Sequence, residues 1–399
     1  MTLKFASKPA GDPAFAMAGI LGMSQAAALP LNRRRLMGLV AATALGAITG
    51  GASARAEQLA SLKVAASRCG VHYGSDSDVP IETAPARYGQ LFAEQCEFYA
   101  ANLSWASVTP TRGTPDPARE DPNVAFARAH GMKLTGAHLL WHERTPDWFS
   151  DLSSQDEARK AIADHIRAMA RHYAGEVYSW NVVNEVMNPQ EGRADGLRHS
   201  PLLAKLGPSF IEFAFREARQ ANPGVLLAYN DYAVEMDSPD HAARRRTMLR
   251  LLESLRSKDA PIDAVGLQSH LKLNGLKFDE GIYRDFLKEI AGMGLKILIT
   301  ELDVLDLRTP SDLRQRDQTV ADLYSRYLNV VLDELAVVAV VTWGLSDRYT
   351  WLTPHANPSY VRDDGTPMRP LPFDASFNPK PAFYAMLSAF AHAPVRKAA

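Results

Sequence analysis

The feature that most restricts the fold of this chain is a repeated alternation of short apolar runs with longer amphipathic stretches. Eight runs are rich in β-branched and other apolar residues: 69–73, 103–109, 132–140, 177–184, 225–230, 264–269, 296–300 and 337–343. Between several of them lie stretches with a helical pattern, at 156–173, 209–221, 242–257 and 279–293. Strands that alternate with helices predict a parallel sheet, and near-continuous apolar strands predict that both of its faces are buried.

Eight strand–helix units predict a closed sheet, so we expect an α/β fold with a single (β/α)₈ TIM barrel over residues 57–399. An open nucleotide-binding sheet would carry a glycine-rich phosphate loop after a strand, and none of the predicted strand ends has that pattern. A long loop rich in Pro, Asp and Asn, residues 350–372, follows the eighth strand. It therefore lies on the face where barrel enzymes place their active sites.

The N-terminal segment has the pattern of an export signal rather than of folded structure. Consecutive arginines at 33–35 precede an apolar run at 36–48, and two Ala-x-Ala cleavage candidates end at Ala54 and Ala56. The apolar run is shorter than the ~20 residues of a membrane anchor, which is the alternative. We expect residues 1–56 to be a cleavable signal of the twin-arginine type, which would send the protein to the periplasm or the medium.

Charge and cysteine content restrict the partners. The chain has 44 basic and 45 acidic residues, so no strong field favours nucleic acid, or a membrane once the signal is removed. Cys69 and Cys96 could form a disulfide after export, but a protein that folds first in the reducing cytoplasm favours two buried free thiols. Neither their number nor their spacing indicates a metal site, and we expect a monomer without a cofactor.

Polar residues at the carboxyl ends of barrel strands are the candidates for chemistry. Glu185 ends the fourth predicted strand and Glu301 the seventh, on opposite sides of the barrel. Glycosidic bond cleavage needs one carboxylic acid that protonates the leaving oxygen and one carboxylate near the anomeric carbon. A single glutamate at a strand end is usually an ion-pair partner, but two on opposed strands, among Trp and amide side chains, favour catalysis.

Two motifs at these glutamates resemble glycoside hydrolase family 10, the family typified by endo-1,4-β-xylanases. They are Trp-Asn-Val-Val-Asn-Glu, which ends at Glu185, and Ile-Thr-Glu-Leu-Asp, which contains Glu301. The resemblance extends over about residues 69–387. It implies that Glu185 is the general acid/base and Glu301 the nucleophile of a retaining double displacement.

The resemblance also implies roles for neighbouring residues. Asn184 would hold a sugar 2-hydroxyl, and His270 with Asp303 would hold and tune the nucleophile. The residues expected to bind the sugars of a polysaccharide or oligosaccharide are Trp141, Arg144, Gln268, Trp343 and Trp351. The family's chemistry implies no metal and no cofactor.

The sequence departs from the family pattern where sugars bind on the non-reducing side. After the second strand, Ala100, Ala101 and Ser104 occupy the positions of a Glu, an Asn and a Lys in the family. On the third strand Ala137 replaces a His, while His138 follows it and would face the opposite way unless a bulge intervenes. These changes spare the catalytic pair and indicate altered glycone-side subsites.

Arg144 replaces a Gln of the family. It could restore the positive charge of the missing Lys, pair with the carboxylate of an acidic sugar, or be a surface side chain. A second basic feature, the run 244–246 on a predicted helix, is interpreted as a solvated face.

The sequence thus favours a retaining endo-β-1,4-glycanase, most simply a xylanase that hydrolyses xylan or xylooligosaccharides. One alternative within the family is a hydrolase with altered specificity for short or acidic decorated oligosaccharides. An alternative of another class is a barrel that binds carbohydrate without cleaving it, although a binding protein needs no protonated acid.

Overall fold

The computed structural model of the protein describes residues 61–396. The predicted export signal, residues 1–56, lies outside the described residues. Within the described part the chain forms ten strands: β1 His72–Ser75, β2 Phe98–Ala100, β3 Lys133–Thr135, β4 Ala137–Trp141, β5 Ser179–Asn184, β6 Leu226–Asp231, β7 Ala264–Leu267, β8 His270–Lys272, β9 Lys296–Leu305 and β10 Val337–Thr342.

Helices follow most of the strands, as the alternation predicted. In chain order they are α1 Leu62–Arg68, α2 Ala86–Gln95, α3 Trp105–Val108, α4 Asp121–Ala129, α5 Gln155–His172, α6 Pro201–Leu206, α7 Ser209–Ala221, α8 Pro239–Ser257, α9 Glu280–Gly292, α10 Leu313–Asp333 and α11 Pro381–His392. In residues 61–396, none of these helices has the length and apolar character required to cross a membrane.

Side-chain caps explain where several helices begin. Ser154 accepts a hydrogen bond from the Glu157 backbone at the start of α5, and the Glu157 carboxylate accepts one from the Ser154 backbone N–H. Ser238, Asp279 and Asp312 accept comparable bonds at the starts of α8, α9 and α10. Each cap satisfies backbone N–H groups that the first turn of a helix leaves without partners.

The strands close into a parallel curled sheet of the TIM-barrel type. Pairing follows the order β3–β2–β1–β10–β9–β7–β6–β5–β4, and all of these pairs are parallel. β3 and β4 are two halves of the third barrel strand: the first half pairs with β2 and the second with β5. A parallel bridge between Leu134 and Val177 also joins the third and fourth strands and completes the ring.

The second strand lies earlier in the chain than predicted. The run 103–109 was expected to be a strand, but the pairing strand is Phe98–Ala100, and Trp105–Val108 forms a short helix. Ser104 begins that helix by accepting a hydrogen bond from Ser107 N. A serine that can cap a helix offers the backbone an alternative to the sheet, which explains the error.

The core has two layers. Inside the barrel, Phe98 packs with Leu298 and three alanines to fill the end opposite the candidate site. A larger apolar layer between sheet and helices contains most of the remaining buried side chains, including Trp180. Cys69 and Cys96 are buried free thiols in this layer, as favoured from the sequence.

The predicted long loop, residues 350–372, contains no helix or strand and is held by buried charges. Arg369 forms a two-bond ion pair with Asp317 on α10, at 2.8 and 2.7 Å. Arg362 donates to the backbone oxygen of Asp306, and the Arg369 backbone N–H donates to the Asp306 carboxylate at 3.1 Å. The loop is therefore fixed to the end of β9 and to α10.

Candidate active site

The two predicted catalytic glutamates lie at the mouth of the barrel, at the ends of the fourth and seventh strands. Glu185 directly follows β5, and Glu301 lies within β9. Gln268 links them, because its side-chain amide donates to Glu185 Oε1 at 3.0 Å and its backbone oxygen accepts from Glu301 N at 2.9 Å. Gln268 thus connects the Glu185 carboxyl group to the backbone of Glu301, and these residues with their hydrogen-bond partners form the catalytic cluster.

Glu185 is held in an unusual backbone conformation. Its φ is +55°, in the left-handed region that costs a non-glycine residue conformational energy. Its backbone N–H donates to Asn230 O at 2.9 Å, and Trp141 Nε1 donates to its Oε2 at 3.0 Å. Together with Gln268, which donates to Oε1, Trp141 therefore holds both oxygens of the carboxyl group.

The surroundings of Glu185 favour its protonated form. Burial of the carboxyl group raises the pKa of Glu185 to about 7, and the nearby negative charges of Asp231 and Glu301 add to the effect. The hydrogen bonds from Gln268 and Trp141 act in the opposite direction and are outweighed. Close to neutral pH, Glu185 can therefore both give and take a proton.

Glu301 is contacted by a different set of neighbours. It is only 6% exposed, and Asn230 Nδ2 donates to its Oε1 at 2.9 Å. His270 Nε2 lies 3.2 Å from its Oε2, while His270 Nδ1 lies 3.0 Å from Asp303 Oδ1. A histidine between two carboxylates can donate from both ring nitrogens only when it is charged.

The charge state of His270 follows from its two neighbours. Burial alone would lower the pKa of His270, but Asp303 and Glu301 outweigh it and raise that pKa to about 10. Trp351 Nε1 donates to the second oxygen of Asp303 at 2.7 Å and so fixes that carboxylate. The resulting imidazolium lies between the carboxyl groups of Glu301 and Asp303.

Asn184 belongs to the same network. Asn230 Nδ2 donates to Asn184 Oδ1 at 2.8 Å as well as to Glu301, and Thr300 Oγ1 donates to Asn230 Oδ1 at 2.8 Å. Because the Asn184 oxygen is occupied, its NH₂ group is the part left to donate to a ligand. Asn230 is the last but one residue of β6, and no role was predicted for it.

The remaining predicted binding residues lie around this cluster. The Arg144 guanidinium stands over the Trp141 ring, 5.5 Å from its centroid. Among the described residues Arg144 has no carboxylate within 4 Å, and its buried Nε has no hydrogen-bond partner. Trp343 follows β10, and its partly exposed indole makes no hydrogen bond within residues 61–396.

An irregularity in the third barrel strand was the condition under which His138 would not face the opposite way, and the structure contains one. Gly136, between β3 and β4, has a φ of +67°, and the pairing changes from β2 to β5 across it. His138 is consequently buried in the barrel, with Nδ1 3.4 Å from Asn181 Nδ2. Burial lowers the pKa of His138 to about 4, and the charges of Glu301 and Arg144 act on it in opposite directions.

One basic feature was interpreted incorrectly. Arg244, assigned to a solvated helix face, is 4% exposed and forms an ion pair with Asp231 at 3.2 Å. Its guanidinium lies 4.2 Å from the Tyr232 ring centroid. Arg198, which had no predicted role, donates to the Glu185 backbone oxygen at 2.9 Å and to the Tyr232 hydroxyl at 2.7 Å. These arginines support the backbone around Glu185.

Comparisons with known proteins bear on the family and the fold of this chain. A sequence profile described as "Glycosyl hydrolase family 10" matches residues 61–389. Endo-1,4-beta-xylanase B of Thermotoga neapolitana is 28% identical, in an alignment that covers 82% of this chain and 90% of the relative. The "Thermostable celloxylanase" of Thermoclostridium stercorarium is 33% identical, over 71% of this chain and 75% of the relative.

Solved structures have the same fold. The native xylanase 10B of Thermotoga maritima superimposes with a TM-score of 0.72 at 27% identity, and the match covers 83% of this chain and 98% of that one. The xylanase 10B of Thermotoga petrophila, solved in complex with xylobiose, also gives 0.72 at 27% identity, over 83% and 97% of the two chains.

Proposed function

Since the chain belongs to glycoside hydrolase family 10, we propose that it is a retaining endo-β-1,4-glycanase that hydrolyses xylan or xylooligosaccharides. The observation that carries the proposal is the contrast between its two glutamates. Burial raises the pKa of Glu185 to about 7, whereas Glu301 lies 3.2 Å from the ring of His270, whose pKa is raised to about 10. Pairs of carboxyl groups whose environments separate their protonation states mark acid and nucleophile in glycosidases.

In the proposed mechanism Glu301 attacks the anomeric carbon while protonated Glu185 gives its proton to the departing glycosidic oxygen. The bond to the leaving sugar breaks and a covalent ester between the glycone and Glu301 forms. Glu185, now a carboxylate, then takes a proton from water, whose oxygen attacks the same carbon and releases Glu301. The configuration of the sugar is retained after two inversions.

The surrounding residues support these steps. His270 and Asn230 both donate to Glu301, so they fix the orientation of its carboxyl group before attack. The free NH₂ of Asn184 is placed to donate to a hydroxyl of the sugar, a contact that gains strength as charge develops in the transition state. Trp343 and Trp351 offer flat faces for sugar rings.

The substrate assignment rests on the relatives, which are named xylanases, and is tested by product analysis. We expect the purified protein to release reducing ends from xylan, with less release from cellulose and none from starch. Starch serves as the control, because its α-linkages present the wrong anomer to Glu301. Reducing ends from cellulose but not from xylan would overturn the xylanase assignment, and release from none of the polymers would favour a binding protein.

The pKa of Glu185 predicts the pH dependence of the reaction. Protonated Glu185 is required for the first step, so kcat/KM should fall as pH rises through the free enzyme's pKa of about 7. The measurement is kcat/KM on xylooligosaccharide between pH 5 and about 9. A good leaving group needs little protonation, so the fall should be shallower on a dinitrophenyl glycoside. An alkaline limb of equal steepness on both substrates would remove Glu185 from the acid role.

A second candidate substrate class, acidic decorated oligosaccharides, is favoured by Arg144. Its guanidinium is stacked on Trp141 beside the acid/base and has no carboxylate partner among residues 61–396. A uronic acid branch could provide one through a bidentate contact. We therefore expect Arg144→Gln to lose about 10- to 100-fold in kcat/KM on glucuronic-acid-substituted xylooligosaccharide.

The linear xylooligosaccharide of equal length is the matched substrate, and on it the same variant should change less than about threefold. Arg171→Gln, on the exposed end of α5, is the matched control variant. If Arg144→Gln affects both substrates equally, Arg144 serves general binding and the acidic class loses its support.

A further inference from the structure

Glu235 is a buried carboxyl group next to the catalytic cluster, and the proposed mechanism gives it no role. It follows the end of β6 and is 1% exposed. Its Oε1 accepts a hydrogen bond from Ser269 N at 3.0 Å, and its Oε2 accepts one from Val234 N at 2.9 Å. Both oxygens therefore bind backbone N–H groups beyond the carboxyl ends of two paired strands, β6 and β7.

Among residues 61–396, no charged partner accounts for the burial of Glu235. The basic side chain that comes within 4 Å is His241, whose Nδ1 lies 3.9 Å from Oε2. Burial lowers the pKa of His241 to about 4, and its Nδ1 accepts from Met236 N at 3.0 Å, so this ring is neutral. A buried carboxyl group without an ion-pair partner costs stability. Its two backbone contacts are therefore what this side chain provides.

The backbone held by this carboxyl group is strained. Ser269 has a φ of +66°, in the left-handed region that disfavours residues with a side chain. It is fully buried and lies between β7 and β8. The pairing with β9 changes register there, so that residues 268–269 lie opposite residues 300–302, with Glu301 in the middle. The strained turn therefore faces the irregularity in β9 that contains the predicted nucleophile.

The residues on either side of Ser269 contact both catalytic glutamates. Gln268 donates to Glu185 Oε1 at 3.0 Å, and its backbone oxygen accepts from Glu301 N at 2.9 Å. His270 Nε2 lies 3.2 Å from Glu301 Oε2. The backbone angles of Ser269 set the directions of both neighbours, so a group that fixes Ser269 fixes these contacts.

We propose that Glu235 is a positioning residue for both catalytic glutamates. Its carboxylate holds Ser269 in the left-handed conformation. Ser269 in turn directs Gln268 toward the acid/base and His270 toward the nucleophile. The inference rests on the proposed function, because the contacts it explains are those of the acid/base and the nucleophile.

The charges around this connection give the test a sign. Burial raises the pKa of Glu235, and its backbone hydrogen bonds and the charge of His270 oppose the rise. A lost negative charge at Glu235 would by itself lower the pKa of Glu185, whereas a lost hydrogen bond from Gln268 would raise it. The titratable groups facing Glu235 are His241 and Arg245 of α8, His270 of β8, Tyr283 of α9 and Tyr327 of α10. Those facing Glu185 are Asp231 of β6, Glu301 of β9 and Arg198.

The first test is Glu235→Gln, which keeps the shape of the side chain but places an NH₂ group against one of the two backbone N–H groups. We expect kcat/KM on xylooligosaccharide to fall about 10- to 100-fold, because small displacements of catalytic groups cost rates of this order. The weakened bond from Gln268 to Glu185 should also move the alkaline limb of kcat/KM upward by about half a pH unit.

Asp263→Asn is the matched control. The Asp263 carboxylate also accepts from a backbone N–H, that of Leu227 at 2.9 Å, but at the opposite end of β6 and β7. This variant should lower the thermal midpoint and leave kcat/KM and the alkaline limb unchanged. If Glu235→Gln behaves in the same way, Glu235 has a purely structural role and the proposal is overturned. A downward shift of the alkaline limb would also overturn it, because the charge of Glu235 would then act directly on Glu185.

Ser269→Gly provides a test that does not depend on the stability of Glu235→Gln alone. Glycine adopts the left-handed conformation at no steric cost, so in this background the turn no longer needs to be held. We expect Glu235→Gln, added to Ser269→Gly, to reduce kcat/KM less than about threefold relative to Ser269→Gly. A further loss of about 10-fold or more would overturn the proposal.

The wild type separates this inference from the proposed function. If the wild type hydrolyses xylooligosaccharide and Glu235→Gln has the kcat/KM and the alkaline limb of the wild type, the positioning role is wrong and the glycanase assignment stands. If the wild type hydrolyses no xylooligosaccharide, the proposed function fails and the positioning role falls with it.

Discussion

Glu301→Gln is expected to reduce turnover by on the order of 10⁴-fold or more on every glycoside, including those with good leaving groups. An amide cannot form the ester with the anomeric carbon, so the first step loses its nucleophile whatever the leaving group. The fold should persist, because Gln has the same shape and the ion pair between His270 and Asp303 remains. The measurements are initial rates on aryl xylobioside and the thermal midpoint from circular dichroism.

Glu289→Gln, the same chemical change on the exposed face of α9, is the matched control and should keep full activity. A direct companion experiment is the mass of the wild-type protein after reaction with a 2-deoxy-2-fluoro glycoside. A stable glycosyl adduct on Glu301 is expected, and an adduct on another residue would reassign the nucleophile. Residual activity of Glu301→Gln close to that of the wild type would refute the double displacement.

Glu185→Ala should have an effect that depends on the leaving group. On xylan, where the departing oxygen needs a proton, we expect a loss of about 10²- to 10⁴-fold. On a dinitrophenyl glycoside the first step is not slowed, whereas hydrolysis of the intermediate still lacks its base. The glycosyl-enzyme should therefore accumulate, and KM should fall. Azide fits the space vacated by the carboxyl group and should restore turnover by attacking the intermediate directly.

The azide product identifies the stereochemistry, because attack on the glycosyl ester would give the β-glycosyl azide. Glu253→Ala, on the exposed face of α8, is the control and should show neither the loss nor the rescue. An α-glycosyl azide, or an equal loss on all leaving groups, would contradict the acid/base assignment of Glu185.

Much of the fold could be predicted because parallel strands have a strong local signature. The helix Ser209–Ala221 was predicted to the residue, and the strand Val337–Thr342 to within one residue. The second strand was missed because Phe98–Ala100 is only three residues long, whereas the neighbouring apolar run 103–109 has a typical strand length. A strand this short depends on the pairing of its backbone with both neighbours, which a local pattern does not contain.

The two glutamates of the candidate site could be predicted from the local sequence, but the tertiary contacts of the site could not. Glu185 and Glu301 stand out because each ends or interrupts a buried apolar strand. The bond from Asn230 to Glu301 joins residues 71 positions apart, and the ion pair of Arg244 depends on Asp231 being buried beneath α8. An arginine triplet on a helix resembles a solvated face in sequence, because only the tertiary structure provides the carboxylate that allows burial.

The ion pairs of the long loop at 350–372 have a consequence for the thermodynamics of sugar binding. Arg362 and Arg369 hold this loop to β9 and α10, and Trp351 on the loop is further fixed by its bond to Asp303. The loop therefore loses its conformational entropy when the chain folds rather than when the ligand arrives. A sugar that stacks on Trp351 binds to a surface that is already ordered, so association should be as fast as for a rigid cleft. Weakening the Arg369–Asp317 pair should slow association, although the residues that touch the sugar stay the same.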